Sequence, residues 1–194
     1  PQNMATLQDA RRTLQVYRPT EITFESGMIP AAVAVILHDG DDGLETLFIH
    51  RAVRAGDTWS GQIAFPGGRR EPTDADLLDT AIRETREEIG VDLTAAERIG
   101  VLDDLHPRTP GLPPVVVRPF VFGLTSRPPI VLNQEVQHAF WVSFRAFLAP
   151  GVRGEITVDH PGIPRRVLPA YTLGNHTIWG MSERILTPLI SLLS

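Results

Sequence analysis

A glycine pair followed by a long acidic helix pattern occupies residues 65–91, which read FPGGRREPTDADLLDTAIRETREEIGV. Residues 74–89 favour an α-helix, and Gly90 is typical of the residue that ends one. With a turn of about 100° per residue, the predicted buried face lies within roughly 60° of Leu78. It consists of Leu78, Ala81, Ile82, Thr85 and Ile89.

Three glutamates, Glu84, Glu87 and Glu88, fall on the neighbouring band of this helix, roughly 180° to 280° from Leu78. Like charges at this spacing destabilise a helix by a few tenths of a kcal/mol. A divalent cation would reverse that effect, because Mg²⁺ and Mn²⁺ prefer oxygen ligands. The pattern therefore indicates a metal site. The alternative is a solvated acidic face that pairs with Arg83 and Arg86.

The same stretch resembles the Nudix box, G-x5-E-x7-R-E-U-x-E-E-x-G-U, where U is apolar. Arg83–Val91 matches the second half closely, with Thr85 at an apolar position. The first half carries one extra residue, and Asp74 stands where the family has Glu. The resemblance implies an α/β (α+β) fold, a Nudix-type α/β/α sandwich with a mixed β-sheet, with the box at 67–91. It also implies metal-dependent hydrolysis of a nucleoside diphosphate joined to a group X.

The resemblance also implies roles for individual residues. The ligands of Mg²⁺ or Mn²⁺ would be Glu84, Glu87, Glu88 and Gly68. The catalytic groups would be Glu84 and Glu87, either of which could assist the attacking water, and Arg83, which orients a glutamate. Glu135, in a loop before Phe140, is a candidate general base or further metal ligand, and the alternative is an exposed loop glutamate.

A second resemblance concerns the sequence before the box. Residues 47–52 and 61–68 are similar to the coenzyme A pyrophosphatase branch, whose pattern is close to L-L-T-x-R-S-x3-R-x3-G-x3-F-P-G-G. The second arginine of that pattern is Asp57 here, and the segment from Arg51 to Gly61 is one residue longer. Substrate contacts are implied for Arg51, for Arg54 as a substitute arginine, for Trp59 as a stacking ring, and for Gly67 and Gly68. Trp59 has a packed loop anchor as its alternative role.

These motifs give three hypotheses for function. The first is hydrolysis of coenzyme A (CoA) or acyl-CoA to 3′,5′-ADP and (acyl-)phosphopantetheine. The second keeps the chemistry but changes the substrate to ADP-ribose, a dinucleotide or a nucleoside triphosphate, and Asp57 keeps it open. The third is a catalytically silent nucleotide-binding module, in which the metal glutamates would be lost. All three glutamates are present in this chain.

Composition sets the wider limits. The chain has 194 residues, 42% of them hydrophobic, which predicts a single domain over 1–194. It has no Cys, which excludes thiolate nucleophiles and Cys-ligated zinc. The formal charge of −5 argues against nucleic acid as a partner. With no signal peptide or membrane span in the pattern, we expect a cytoplasmic protein that binds a small nucleotide substrate.

The remaining elements follow from periodicity and turn residues. An N-terminal extension over 1–25 contains a helix at 7–16, and a terminal helix covers 179–193, with residues 181–185 either structural or part of a homodimer contact. Strands are predicted at 29–37, 45–51, 62–65, 98–105, 115–124 and 155–158, and residues 137–148 give a mixed signal. Asp103, Asp104 and His106 belong either to a turn or to the site. Arg108, Arg118 and Arg127 are either surface residues or phosphate contacts.

Overall fold

The fold is described from a computed structural model, over residues 5–55, 61–108, 110–160 and 163–194. Within these ranges the chain forms four helices and ten strands. The helices are α1 (Leu7–Val16), α2 (Leu77–Ile89), α3 (Phe144–Phe147) and α4 (Met181–Leu193). The strands are β1 (Ile29–Gly40), β2 (Gly43–Arg51), β3 (Ile63–Ala64), β4 (Gly67–Arg69), β5 (Glu97–Val101), β6 (Val115–Leu124), β7 (Val136–Ser143), β8 (Arg153–His160), β9 (Ile163–Leu173) and β10 (His176–Trp179).

The central sheet is mixed and branches along β1. Its main path is β3-β2-β1-β6-β5, in which β1 and β6 are parallel and the other neighbours antiparallel. On its other edge, β1 pairs with β4 through Ala31–Val33 and with β2 only from Leu37 to Gly40. The strand therefore changes partner part-way along its length, and this fork places the Gly67-Gly68 segment at the edge of a gap in the sheet.

Helices cover both faces of the sheet. The buried face of α2, including Leu77, Ala81 and Ile89, packs with Ile36 and Phe122 in one core cluster. The opposite face carries a second cluster, built from α1, α3, α4 and the three-stranded sheet β10-β9-β8. The predicted α/β/α sandwich with a mixed sheet is confirmed.

The N-terminal helix packs into the second core cluster. Thr6 and Asp9 cap α1 reciprocally, and the N–H of Leu7 donates to Asp39 Oδ1 at 2.7 Å. Leu7, Ala10 and Leu14 are buried in the second cluster. The segment predicted as an extension over 1–25 is therefore held by the sheet, at least through α1.

Several predicted boundaries differ from the structure. Helix α2 begins at Leu77, after the N-cap residue Asp76, whereas the sequence pattern predicted a start at Asp74. Gly67 and Gly68, predicted as a turn, form strand β4. Strands β9 and β10 were not predicted, because Pro164 and Pro169 interrupt the first and the second has only four residues. Trp179 ends β10, so α4 is shorter than the predicted helix over 179–193.

In the part of the chain that the structure describes, every helix falls short of the length and apolarity that crossing a bilayer requires.

Candidate active site

Helix α2 presents its three glutamates in different environments. Glu88 lies beside the apolar stripe and is 1% exposed, whereas the side chain of Glu87 points away from it and is 53% exposed. Glu84 lies between these extremes, with its side chain 15% exposed. Gly90 ends the helix in a left-handed conformation (φ 69°), and its N–H donates to Arg86 O at 2.9 Å. The spacing on the helix therefore places the carboxylates of Glu84 and Glu88 in the interior and leaves that of Glu87 exposed.

Arg83 joins the start of this region to the glutamates. Its Nε and Nη2 donate to the two carboxylate oxygens of Asp74 at 2.8 and 3.0 Å. Its Nη1 lies 3.2 Å from both Glu84 Oε1 and Glu87 Oε2. Asp74 is 3% exposed, and the guanidinium of Arg83 holds its pKa well below the ordinary range. Asp74 thus fixes Arg83, and Arg83 fixes the glutamates.

Gly67 and Gly68 are required by close packing. A Cβ on Gly67 would lie 2.2 Å from the backbone O of Ala32, the strand partner of Gly68. A Cβ on Gly68 would lie 2.6 Å from the Glu84 carboxylate. The first glycine lets β4 lie against β1, and the second leaves room for Glu84.

Carboxylates from two elements converge here. Oxygens of Glu84, Glu88 and Glu135 lie within 4.8 Å of one another. Burial raises the pKa of Glu88 to about 8, against the opposing hydrogen bond from the Gly67 N–H at 2.8 Å. Burial also raises the pKa of Glu84. Hard oxygen donors at this spacing, with the charge of two of them disfavoured by burial, fit a divalent cation.

The cluster opens into a cavity of about 410 Å³. Its lining includes Gly67, Gly68, Glu84, Glu88 and Glu135, together with Arg51. Arg54 lies outside this lining, with Nη1 3.7 Å from Glu135 Oε1. One wall is therefore acidic, and two arginines predicted to contact substrate lie next to it.

Comparisons with known proteins decide the family. The NUDIX domain family matches residues 28–159, more than half of the chain. The chain belongs to the NUDIX family. The prediction of a Nudix hydrolase is confirmed, and hydrolases of this family generally need a divalent metal ion.

Relatives of this Nudix protein extend over most of its length. It is 29% identical to the mitochondrial coenzyme A diphosphatase NUDT8 of Mus musculus over 188 residues, covering 96% of this chain and 89% of the mouse protein. It is 30% identical to Nudix hydrolase 22, chloroplastic, of Arabidopsis thaliana, covering 92% of this chain and 64% of the plant protein. A MutT/nudix family protein from Enterococcus faecalis superposes with a TM-score of 0.57 at 18% identity, covering 95% of this chain and 73% of that one. That last likeness shows the fold alone.

The structure brings together most of the predicted site residues of this Nudix protein. Glu84, Glu88, Glu135, Gly67, Gly68 and Arg51 share the cavity. Glu87 lies outside the carboxylate cluster, bound to Arg83. Trp59 and Asp57 lie outside the described residues.

Other candidate residues are engaged elsewhere. Arg118 forms a two-pronged pair with Asp104 at 2.9 Å, and Asp104 is 8% exposed. Asp103 accepts hydrogen bonds from Tyr17 Oη and the Thr20 N–H at 2.8 Å, which favours the turn over the site. Arg127 pairs in the same two-pronged way with Glu45. These residues hold loops to the sheet.

Sequence reasoning missed part of the cavity wall. Gln62 lies on it, and Met181, Ser182 and Ile185 of α4 form another side. Residues 181–185 were interpreted as structural or as a dimer contact. Only the fold brings a helix that begins 90 positions after the end of the box at Val91 to this cavity, so no local pattern indicated the role.

Proposed function

We propose that this protein hydrolyses the diphosphate bond of CoA or an acyl-CoA, giving 3′,5′-ADP and (acyl-)phosphopantetheine, with Mg²⁺ or Mn²⁺ as its metal. The observation that carries the hydrolytic part is the convergence of Glu84, Glu88 and Glu135 beside the Gly67-Gly68 strand. The choice of CoA is supported by the sequence pattern leading to Phe65–Gly68. It is also supported by the likeness to the mouse protein named a coenzyme A diphosphatase.

The residues that would hold the metal are Glu84, Glu88 and Glu135, with the backbone of Gly68 and the carboxylate of Glu87 as further predicted ligands. When bound, the ion supplies positive charge that offsets the diphosphate and makes water a better nucleophile at neutral pH. Arg83 orients Glu84 and Glu87 by its contacts at 3.2 Å. Arg51 and Arg54 would meet the phosphate oxygens, which guanidinium groups bind well.

The reaction adds water across the P–O–P bridge. A bond forms between the water oxygen and one phosphorus, and the bridging oxygen leaves with the other phosphate. The water proton passes to a carboxylate, for which Glu84, Glu87 and Glu135 are the candidates. Glu135 is half-exposed at the cavity and beside Arg54, so it can exchange that proton with solvent.

A substrate panel with product identification tests this proposal. CoA, ADP-ribose, a dinucleoside polyphosphate and a nucleoside triphosphate are each incubated with the protein and Mg²⁺ or Mn²⁺ in ¹⁸O-water. We expect CoA to give 3′,5′-ADP and phosphopantetheine, with ¹⁸O in only one of them, which locates the attacked phosphorus. Intact CoA beside efficient cleavage of another compound would exclude CoA and leave the hydrolase assignment in place.

ADP-ribose is the second candidate, and one observation favours it. Asp57 stands where the CoA branch has an arginine, so one predicted phosphate contact is missing. A dinucleotide or nucleoside triphosphate would be tested in the same panel. A silent binding module is the least favoured function, because the metal glutamates are all present.

Location and assembly are further proposals. We keep a cytoplasmic location and a homodimer as predictions. The names of the two relatives above place those proteins in mitochondria and chloroplasts. Cell fractionation and light scattering of the purified protein test the two predictions.

A further inference from the structure

The cavity lining contains two chemically different groups of residues. The acidic group consists of Glu84, Glu88 and Glu135, whose carboxylate oxygens lie within 4.8 Å of one another. The apolar group, here called the aliphatic arm, consists of Ala31, Val33, Val115, Val117, Met181 and Ile185, and all of these except Ile185 belong to one contact cluster. A diphosphate held by the acidic group therefore leaves one of its two substituents to contact the aliphatic arm.

The aliphatic arm is built where α4 meets the sheet. Ala31, Val115 and Val117 form a small core cluster, and the partly exposed Met181 packs against it. Ser182 Oγ donates to the backbone O of Ile63 at 3.0 Å, which ties the first turn of α4 to β3. The position of this wall is thus fixed by the fold, and the Ser182 hydroxyl already donates its hydrogen bond within the protein.

One polar side chain of the cavity lining has a donor without a partner. The side-chain Nε2 of Gln62 is fully buried and makes no hydrogen bond, while the backbone O of Gln62 accepts from the Arg51 N–H at 2.9 Å. A buried amide donor without an acceptor is destabilising, because it has lost its hydrogen bonds to water. A ligand that places a carbonyl oxygen there would remove that cost.

We propose that the aliphatic arm binds the non-nucleotide part of the substrate, an aliphatic chain that carries amides, with Gln62 donating to one of its carbonyl oxygens. This inference rests on the proposed function, and it assigns Gln62, Met181 and Ile185 as specificity residues. A ribose in the same place would lose the hydration of its hydroxyls against valine and methionine side chains.

The nucleoside is the other substituent that the arm would have to exclude. Adenine binds well to exposed aromatic faces. Among the described lining residues the one aromatic ring is that of Phe65, which is 3% exposed and packs on Phe48 at 4.7 Å between centroids. The arm therefore offers aliphatic contacts and an amide donor but no stacking face within the described chain.

Methionine-methyl NMR tests the assignment without relying on hydrolysis. The chain has three methionines, of which Met28 lies outside the cavity lining and serves as an internal reference. With [¹³C-methyl]Met protein and Mg²⁺, we expect 4′-phosphopantetheine to shift the Met181 signal and leave Met28 in place. ADP should leave both signals in place. A Met181 shift with ADP but not with 4′-phosphopantetheine, or with neither, would overturn the inference.

Kinetics with a matched substrate pair supplies the second readout. Dephospho-CoA and ADP-ribose share an ADP half and differ only in the group X. Met181→Gln and Gln62→Leu should each lower the dephospho-CoA to ADP-ribose ratio of kcat/KM by about tenfold, mainly through KM for dephospho-CoA. Ile190→Gln is the control, since Ile190 is a half-buried apolar residue of the same helix outside this cavity.

These experiments distinguish a failure of the proposed function from a failure of the inference about the aliphatic arm. A Met181 shift with 4′-phosphopantetheine in a protein that leaves CoA intact would contradict the proposed function and support the binding arm. Efficient CoA cleavage with an unchanged selectivity ratio in both variants would contradict the arm and leave the proposed function standing.

Discussion

Asp74 and Arg83 form a two-pronged ion pair that links the residues before α2 to its metal-facing side, with oxygen–nitrogen distances of 2.8 and 3.0 Å. Asp74 also accepts hydrogen bonds from the Glu71 N–H at 2.8 Å and from Thr80 Oγ1 at 2.9 Å. The carboxylate is therefore enclosed by donors on all sides. Although the family pattern has Glu at the corresponding acid, the shorter Asp fits this site.

Asp74→Asn should destabilise the protein and lower its activity together. Removing the charge of buried Asp74 breaks the closest ion pair of Arg83 and leaves it only the longer contacts with acidic side chains such as Glu84 and Glu87, which costs about 3 kcal/mol. Arg83 then holds Glu84 less firmly, so kcat should fall as well. Urea unfolding and initial rates measure the two effects. Asp42→Asn, which breaks the exposed pair with Arg145, should cost under about 0.5 kcal/mol.

Asp74→Glu separates charge from size. The longer side chain keeps the negative charge but does not fit among the same donors, so we expect it to be less stable than wild type. Wild-type stability and activity in Asp74→Glu would show that the enclosed geometry is unimportant.

The metal-free protein should lose stability as pH rises from about 4.5 to 8. In this window the unfolded chain has released the Glu88 proton, whereas burial keeps it bound in the folded state, where the pKa is about 8. The folded state then binds more protons than the unfolded state, so the free energy of unfolding falls with increasing pH, by an amount on the order of a few kcal/mol. Urea unfolding in EDTA across this range measures it.

Glu88→Gln is the matched variant for this pH dependence. It should flatten most of the fall and be more stable than wild type at pH 8 in EDTA, with a smaller fall remaining from Glu84. A variant that kept the full wild-type pH profile would assign the effect to other groups.

Alanine at Gly67 and alanine at Gly68 should affect stability and kcat differently. Gly67→Ala drives a Cβ into the backbone of Ala32 and should cost at least about 3 kcal/mol, because strand β4 must separate from β1. Gly68→Ala meets only the end of the Glu84 side chain, so it should reduce kcat more than stability. Thermal melts and rates distinguish these outcomes. Gly154→Ala, with open space around its Cβ, should change neither by much.

Divalent metal should raise the melting temperature by mass action, since it binds the folded site. A concentration of 100 times Kd contributes about 2.7 kcal/mol. Glu84→Gln and Glu135→Gln should reduce the Mg²⁺- or Mn²⁺-induced shift, and Glu155→Gln, an exposed change on β8, should preserve it. An undiminished shift in both site variants would place the metal elsewhere.

Glu87→Gln addresses the residue that lies outside the carboxylate cluster. As a predicted ligand and catalytic group, it should lower kcat by about 10²-fold or more when its charge is removed. Arg86→Gln, its exposed neighbour paired with Asp92, should stay within about twofold of wild type because that pair is on the surface. Turnover of Glu87→Gln at the wild-type rate would remove Glu87 from the mechanism.

The sequence predicted the elements with strong local signals. Helix α1, strand β6 and the Gly90 end of α2 lie where periodicity and turn residues placed them. The helical periodicity placed Glu84, Glu87 and Glu88 on one band beside the apolar stripe, but it did not predict that Glu88 is buried and Glu87 exposed. Local patterns succeed here because the apolar residues whose periodicity predicts an element are also the residues on its buried face.

The sequence did not predict contacts between residues that lie far apart along the chain. Gly67 is needed because Ala32 lies against it, and nothing near Gly67 in the sequence reports that contact. The pairings of Arg118 with Asp104 and Arg127 with Glu45 likewise decide that these arginines hold loops and not phosphates. Met181 joins the cavity only because α4 packs across the second face of the sheet.

Because β1 changes partner along its length, strand β4 and the segment between β2 and β3 are held in different ways, and they can vary in evolution independently. Strand β4 is fixed by β1 and by its contact with α2, whereas the two described ends of the chain between β2 and β3 are anchored by hydrogen bonds from the Gly61 N–H to Arg51 O and from the Ala52 N–H to Glu135 O. Residues can be added or lost between those anchors while the glycines and glutamates keep their spacing. The extra residue in this interval is the kind of change such a scaffold tolerates, so related enzymes can alter what they recognise without rebuilding how they cleave it.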